Sequence, residues 1–318
     1  MFKLKISPIA LLFLAFFRWL PCGACCVSPC NDYVALDSIA SQHRLEMFVN
    51  QPDKAMVRGN GVELLFRPQS RVFHANGILM PLGFPTETRA GKLCVTHSDY
   101  VSHIHPFFAK QRRNTAQNVI IVLDPGHGGR DSGASSATGL KEKIITLDIC
   151  KKIAQLLTNK GYAVCLTRDA DTYVELEDRT KFANQKSATL LVSVHCNSAE
   201  SKSAHGTEIF TLTPYGQPSQ HKTKSSPSGP KRYENNEFDG DSLMLAYNVQ
   251  RAILKKTGNA DRGVKHAHFH ILKDLKCPGI LVECGFLSNV ADRKKLASDE
   301  YRKTLAQAIA EGIVSFIK

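Results

Sequence analysis

From residue 118 to the C-terminus, short apolar runs alternate with segments of helical periodicity. The unbroken apolar run at 119–123 is typical of a strand covered on both faces, and further strands are predicted at 163–166, 190–194, 207–212 and 279–282. Apolar residues recur at helical spacing in segments 145–157, 245–253 and 301–316. This alternation predicts an α/β fold with a twisted, mostly parallel sheet and helices on both faces, of the phosphorylase/hydrolase-like kind.

The preceding segment, residues 31–105, has the character of a small β-rich domain. Residues 62–67 partly alternate between apolar and polar, and the β-rich run 71–80 is interrupted by Asn76-Gly77, a dipeptide that favours a tight hairpin turn. Residues 106–117 are polar and basic. We therefore predict a β-rich domain at 31–105, a linker at 106–117 and an α/β domain at 118–318.

The first 24 residues have the layout of an export signal. A short basic head is followed by the apolar run 6–17, by Arg18 and then by small residues at 23–24. The apolar run is too short to cross a bilayer comfortably. We expect a cleaved signal peptide at 1–24 and a periplasmic or secreted protein, with lipoprotein processing before Cys25 as the alternative.

Composition narrows the classes of function. Hydrophobic residues make up 43% of the 318 residues and charged residues 22%, which excludes wholesale disorder. The net charge of +12 permits an anionic partner. The basic residues between 222 and 232 are not interleaved with aromatic side chains, so we predict no nucleic-acid partner. The surrounding polar segment 214–241 is predicted to be a loop.

Four chemically active side chains are predicted to meet at one edge of the sheet. His127 follows the first buried strand, and His195 and Glu283 directly follow two others. Parallel strands bring such residues to the same rim, where the sites of α/β proteins form. Glu142 opens the helix that runs back from this rim.

Two imidazoles and one carboxylate are the ligand set of a catalytic zinc ion that keeps one position open. We predict that His127, Glu142 and His195 bind Zn²⁺, and that Glu283 transfers protons beside it. Gly126 and the glycines that follow it in the loop 126–133 would let the backbone approach the site closely.

Each residue taken singly has a simpler explanation. Glu142 could be an acid that favours a helix N-terminus, and Glu283 a buried ion-pair partner. A histidine after a strand is more often a structural residue than a ligand. The triplet His266, His268 and His270 could bind a second metal, but we expect a solvated strand face. Convergence of four residues on one rim favours the metal site.

At these residues the chain resembles the zinc-dependent N-acetylmuramoyl-L-alanine amidases of bacterial cell walls. The matching segments, in order, are 123–134 (LDPGHGGRDSGA), 139–143 (GLKEK), 193–198 (SVHCNS), 262–265 (RGVK) and 281–289 (LVECGFLSN). The resemblance covers about residues 118–318. It implies zinc ligation by His127, Glu142 and His195 and catalysis by Glu283.

The resemblance also implies a substrate and a reaction. The substrate is peptidoglycan, and the bond cleaved joins N-acetylmuramic acid to L-alanine, in cell-wall remodelling or cell division. Arg130 and Asn197 are candidate substrate contacts. A carboxypeptidase-type zinc enzyme acting on the same polymer, and a non-catalytic wall-binding protein, are the alternatives.

Some members of this family insert a helix that covers the zinc until a partner protein removes it. That helix follows the position of Glu234-Asn235. Here only a short polar stretch separates this position from the helix near Ser242. We therefore expect that no activator is required.

Overall fold

A six-stranded mixed sheet organises the C-terminal two-thirds of the chain. The computed structural model describes residues 32–51, 54–109, 119–221, 227 and 229–318. The predicted signal peptide and residues 110–117 of the predicted linker lie outside these ranges. No helix within them combines the length and apolar character needed to cross a bilayer.

The elements follow in chain order. The strands are β1 (Tyr33–Ala35), β2 (Glu46–Gln51), β3 (Lys54–Gly59), β4 (Val62–Phe66), β5 (Val72–Ala75), β6 (Ile78–Pro81), β7 (Glu87–Arg89), β8 (Lys92–Thr96), β9 (Ile120–Pro125), β10 (Ala163–Leu166), β11 (Leu190–Asn197), β12 (Thr207–Leu212), β13 (Asp261–Ala267) and β14 (Gly279–Phe286). The helices are α1 (Leu36–His43), α2 (His97–Asp99), α3 (Glu142–Thr158), α4 (Leu176–Gln185), α5 (Asp239–Thr257), α6 (His270–Lys273), α7 (Val290–Ala297) and α8 (Asp299–Ile317). A π-helical turn covers Tyr100–Ile104, and 3-10 turns cover His105–Phe107 and Glu234–Phe238.

The central sheet has the strand order β10-β9-β11-β14-β12-β13. Neighbouring strands run parallel except β12 and β14, which pair antiparallel. The sheet is therefore mostly parallel, as predicted. The carboxyl ends of β9, β11 and β14 lie at one edge, from which α3 runs back.

Helices cover both faces of this sheet. Successive residues of a strand point to opposite sides, so each central strand contributes side chains to the core on either face. Ile121 and Leu123 of β9 belong to the core that includes α3, α5 and α8, whereas Val122 belongs to the core that includes α4 and α6. The predicted cover of helices on both faces is confirmed. It explains why β9 consists of unbroken apolar residues up to Asp124.

The N-terminal part contains a five-stranded antiparallel sheet, β2-β3-β4-β5-β6, and a three-stranded sheet, β1-β8-β7. The predicted hairpin is β5 and β6, joined by Asn76 and Gly77 with φ of 48° and 81°. Positive φ at both turn positions is the geometry of a type I′ turn, which Asn-Gly favours. The predicted β-rich region is therefore present.

This β-rich part packs directly on the α/β part, within one compact unit that spans Asn31–Lys318. Leu79 N donates to Asp261 Oδ2 over 2.9 Å, and Asn76 Nδ2 donates to the Tyr247 hydroxyl over 2.8 Å. The predicted domain division at 106–117 stays a prediction, since most of that segment is outside the described residues.

A buried pair of histidines also crosses this contact. His103 Nε2 lies 2.6 Å from His266 Nε2, and the two residues are 0% and 2% exposed. His268 is 7% exposed. The expectation of a solvated face at His266 and His268 was therefore wrong, because the β-rich part covers His266 and the side chain of Tyr233 lies against His268.

Candidate metal centre

The three predicted ligands converge at the carboxyl edge of the sheet. His127 follows β9, Glu142 is the first residue of α3, and His195 lies near the end of β11. One donor atom from each lies within 4.8 Å of the other two. The two imidazole rings meet edge to face, with their centroids 4.9 Å apart. The structure therefore brings together three residues that 68 positions of sequence separate.

The Glu142 carboxylate is the centre of this group. Its Oε2 lies 3.1 Å from His127 Nε2, and its Oε1 lies 3.0 Å from His195 Nδ1. The backbone amides of Ala134 and Cys196 donate to Oε2 and Oε1 over 2.8 and 2.9 Å. Burial acts to raise the pKa of Glu142, but hydrogen bonds and charges from both imidazoles outweigh it and hold the pKa well below its ordinary value. The carboxylate is thus ionised and fixed.

The orientation of His127 is set by a second carboxylate, from Asp131. His127 Nδ1 lies 2.8 Å from Asp131 Oδ2, a pairing that leaves Nε2 directed at the ligand group. Metal-bound histidines commonly donate their other ring N–H to a carboxylate in this way. Asp131 itself accepts from Gly133 N over 3.0 Å. Asp131 was not among the predicted site residues, although its position four residues after His127 in a glycine-rich loop could have indicated it.

Gly126 and Gly133 lie so close to the predicted ligands that a side chain at either position would clash with them. A Cβ on Gly126 would lie 2.3 Å from His195 Cε1. A Cβ on Gly133 would lie 2.5 Å from both Glu142 Oε2 and His127 Cδ2. The predicted close approach of the backbone is therefore present at these two positions.

A buried ion pair between Arg179 and Asp124 holds the loop that carries His127 in place. Arg179 Nη1 lies 2.8 Å from Asp124 Oδ1, and Arg179 Nη2 donates to the His127 carbonyl over 2.8 Å. Burial opposes ionisation of Asp124, but Arg179 and the hydroxyls of Ser193 and Thr167 lower its pKa. Since His127 has φ of 62°, a conformation rarely populated by histidine, this clamp holds a strained backbone in place.

Glu283 lies beside the ligand group without joining it. It is the register partner of His195 in the pairing of β11 with β14. Its Oε2 is buried and has no hydrogen-bond partner within the described part of the chain. Burial first, and then the charges of Glu142 and Glu208, raise the pKa of Glu283 well above its ordinary value. A carboxyl group of this kind suits proton transfer.

The donor set itself tests whether a metal ion fits. Two imidazoles and one carboxylate, with a further carboxyl group beside them, match a catalytic metal site with an open position rather than a closed structural one. Glu283 and the two histidines line the same cleft, so the carboxyl group of Glu283 lies beside the space that such an ion and its substrate would occupy.

This cleft has a volume of about 530 Å³ and largely apolar walls. Its apolar lining residues are Tyr173, Val174, Leu176, Phe269, Ile271 and Leu281. Arg130 and Asn197, the two predicted substrate contacts, are not among its lining residues. Arg130 stacks on Tyr173 at 4.1 Å and pairs with Glu175, and Asn197 donates to Glu208.

The sequence also matches a known family over this region. The sequence model of the N-acetylmuramoyl-L-alanine amidase family matches residues 121–315, a segment that contains all four site residues and not the β-rich part. The N-acetylmuramoyl-L-alanine amidase LytC of Bacillus subtilis is 34% identical over 210 residues, which is 66% of this chain and 38% of LytC.

Two further relatives match at similar identity. AmiA of Escherichia coli, also named N-acetylmuramoyl-L-alanine amidase, is 32% identical over 218 residues, which is 62% of this chain and 75% of AmiA. The solved amidase AmiC2 of Nostoc punctiforme is 34% identical with a TM-score of 0.54, over 64% of this chain and 99% of that one. The chain thus spans three-quarters of AmiA but well under half of LytC.

Proposed function

Because this chain belongs to the N-acetylmuramoyl-L-alanine amidase family, we propose that it hydrolyses the amide between N-acetylmuramic acid and L-alanine in peptidoglycan. The observation that carries the proposal is the convergence of His127, Glu142 and His195 within 4.8 Å, with Glu283 beside them. Relatives with this name support the choice of substrate, and the cleft supplies room for an uncharged amide and its neighbouring groups.

We propose zinc as the bound metal, since two imidazoles and a carboxylate are its preferred catalytic ligands. When bound, such an ion polarises the scissile carbonyl and lowers the pKa of water. Glu142 supplies one negative charge, so the site as a whole stays positive towards a carbonyl oxygen. Asp131 and Arg179 keep His127 in the orientation that ligation needs.

Glu283 acts as the general base and then as the general acid of the reaction. Its carboxylate accepts a proton from the attacking water while the water oxygen bonds to the carbonyl carbon. The carbon–nitrogen bond then breaks, and Glu283 returns the proton to the departing amine of L-alanine. The raised pKa of Glu283 makes its carboxylate a strong base for the first of these transfers once the positive charge of a bound ion favours its ionised form.

Product analysis tests this function against a carboxypeptidase-type alternative. Purified peptidoglycan fragments are digested with the full chain, with and without a chelator, and the products are identified by mass spectrometry. The proposal predicts free stem peptides that begin with L-alanine, and none after chelation. Release of D-alanine from intact stems would support the carboxypeptidase, and a wall-binding protein without activity would give no product at all.

We propose export to the periplasm or the outside of the cell, by a signal peptide at 1–24, and a role in remodelling the wall or in division. The net charge of +12, which is +9 once Lys3, Lys5 and Arg18 are removed with the signal peptide, supports contact with the carboxylates of stem peptides. Processing before Cys25 would instead give a lipoprotein. Mass measurement of the mature N-terminus distinguishes the two.

We also propose that no activator is needed. None of the described residues between 214 and 241 lines the cleft, and the segment before α5 is a short 3-10 turn, Glu234–Phe238. Activity of the purified chain without any added protein is the expected result. A silent chain that a second protein activates would contradict this proposal.

A further inference from the structure

Glu208 is a buried carboxylate that has no assigned role in the proposed reaction. It lies on β12, directly opposite Glu283 in the antiparallel pairing of β12 with β14. The residue is only 4% exposed, so its charge needs compensation from protein groups. It is not one of the three residues whose donor atoms converge, and it does not line the cleft.

Three side chains satisfy this carboxylate. Arg262 Nε and Lys265 Nζ, both from β13, lie 2.7 and 2.6 Å from Glu208 Oε2. Asn197 Nδ2, from the end of β11, donates to Glu208 Oε1 over 2.8 Å. Charge-assisted hydrogen bonds of this length are strong and directional. They fix the carboxylate of Glu208 in one place.

The bond between Glu208 and Asn197 spans a whole strand. In the sheet order, β14 lies between β11, which carries Asn197, and β12, which carries Glu208. The residue of β14 in the register position of Glu208 is Glu283. The hydrogen bond therefore crosses β14 between Glu283, which lies opposite Glu208, and Phe286, which lies opposite Asn197.

Here β14 is also irregular. His195 pairs with Glu283, but Asn197 pairs with Phe286, so β14 has one residue more than β11 between these pairs. Gly285, within this bulge, has φ of 145°. A bulge bends its strand and changes the direction of nearby side chains. The orientation of the Glu283 side chain thus depends on the residues that fix the bulge in β14.

We propose that Glu208 is a positioning residue for Glu283: bound to Arg262 and Lys265 on one side and to Asn197 on the other, it fixes the bulged end of β14. This inference rests on the proposed catalytic role of Glu283. In this role Glu208 orients the carboxyl group of Glu283 and does not itself contact substrate.

The first test is Glu208→Gln in the full chain, assayed on soluble peptidoglycan fragments at saturating zinc. The variant keeps the shape of the side chain but leaves Arg262 and Lys265 without their anion. A misplaced Glu283 is expected to lower kcat about 10²-fold, since small displacements of a reacting group cost that much. KM and bound zinc are expected to stay within about twofold of wild type. A lower kcat with unchanged KM would show that the variant loses stabilisation of the transition state and not binding of the substrate.

Asn197→Ala supplies a second variant, because it removes the bond across β14, together with the local bond from Ser198 N to Asn197 Oδ1, and leaves the ion pairs of Glu208. It is expected to lower kcat in the same direction with KM unchanged. The double variant is expected to lose little more than Glu208→Gln alone, since both changes weaken the same support of the bulged end of β14 and their effects are therefore not additive. The matched control is Asp148→Asn on α3, an acid paired with Lys152 and Arg302 away from the cleft, which should keep its kcat.

A wild-type kcat in Asn197→Ala would overturn the proposal, and so would a loss of activity in Glu208→Gln that merely follows loss of zinc. These failures differ from failure of the proposed function itself. In that case wild-type protein would release no stem peptide, or Glu283→Gln would be fully active.

Discussion

His195 and Glu283 face each other in the register of two parallel strands, β11 and β14, at the point where both strands reach the edge of the sheet. One residue offers a ring nitrogen to the candidate metal site, and the other a carboxyl group whose Oε2 is buried without a partner in the described structure. The sheet thus sets the spacing between the proposed ligand His195 and the proposed proton carrier Glu283 through backbone hydrogen bonds. In the proposed mechanism this arrangement separates binding of the metal from transfer of the proton.

Replacing Glu283 with glutamine should therefore abolish catalysis while preserving the metal site. Loss of the proton carrier is expected to lower kcat about 10²- to 10⁴-fold. Bound zinc, measured on the same protein, should not change, because Glu283 is not one of the converging donors. Glu311→Gln, which removes an acid of α8 paired with Lys256 of α5, is the matched control. An active Glu283→Gln enzyme would refute the assigned role.

Adding one methyl group at Gly133 should disrupt metal binding. Its Cβ would lie 2.5 Å from Glu142 Oε2 and from His127 Cδ2, so Gly133→Ala must displace a ligand. We expect metal affinity to fall at least about tenfold, in the range seen when ligand orientation is lost. Competition with a chromogenic chelator measures the affinity.

Gly139→Ala is the control for this experiment. Gly139 also has positive φ, 78° against 62° at Gly133, but a Cβ there meets nothing within 4 Å. Backbone strain is therefore similar in the two variants, and only one has a clash. Equal metal affinity in the two variants would show that the close approach at Gly133 does not matter.

Asp131 should contribute to metal affinity although it is not itself a ligand. Asp131→Asn removes the negative charge 2.8 Å from His127 Nδ1 and makes His127 a weaker, less well oriented donor. The expected loss of zinc affinity is about tenfold. Asp178→Asn, which breaks an exposed contact between a carboxylate and Lys181 on α4, should leave the affinity unchanged. Unaltered affinity in Asp131→Asn would argue against the assigned orientation of His127.

The stability of the fold should fall on acidification because of His266. This imidazole is buried against His103 and bonded to Thr211 Oγ1. Burial first, then His103, Arg71 and His268, hold its pKa well below the ordinary value of 6.5. The unfolded chain therefore gains a proton at a higher pH than the folded one. The contribution of His266 to stability is fully present above pH 6.5 and declines as the pH falls below it.

Urea unfolding at several pH values measures this effect. The slope of the free energy of unfolding below pH 6.5 should be shallower in His266→Gln than in wild type, by up to about 1.4 kcal/mol per pH unit. Asp99, which lies 3.1 Å from His103 Nδ1, is the one acid in this buried group among the described residues and stays in both proteins. His205→Gln, at an exposed position, should keep the wild-type slope. Identical slopes in wild type and His266→Gln would contradict the prediction.

Much of the catalytic part could be predicted from sequence because its strands are buried on both faces. Unbroken apolar runs mark such strands, and the polar residue that ends each one marks the rim. His127, His195 and Glu283 were found in this way, and Glu142 from its place at the start of a helix. Helix α4 was not predicted, since its sequence, LEDRTKFANQ, has too few apolar residues to show a periodic face.

Residues whose roles depend on distant partners could not be predicted. His266 was expected to be solvated, but it meets His103 from 163 positions earlier in the chain. Glu208 is defined by Asn197, Arg262 and Lys265, and its pairing with Glu283 follows from strand order, which the sequence leaves open. Local pattern therefore located the reacting groups but not the groups that hold them.

The metal content of active protein tests the central claim most directly. Elemental analysis by mass spectrometry should find one zinc ion per chain in the active wild-type protein, and loss of that ion together with activity in His195→Ala. Active protein that contains no bound metal, or a His195→Ala variant that keeps a full zinc complement, would contradict a site formed by His127, Glu142 and His195.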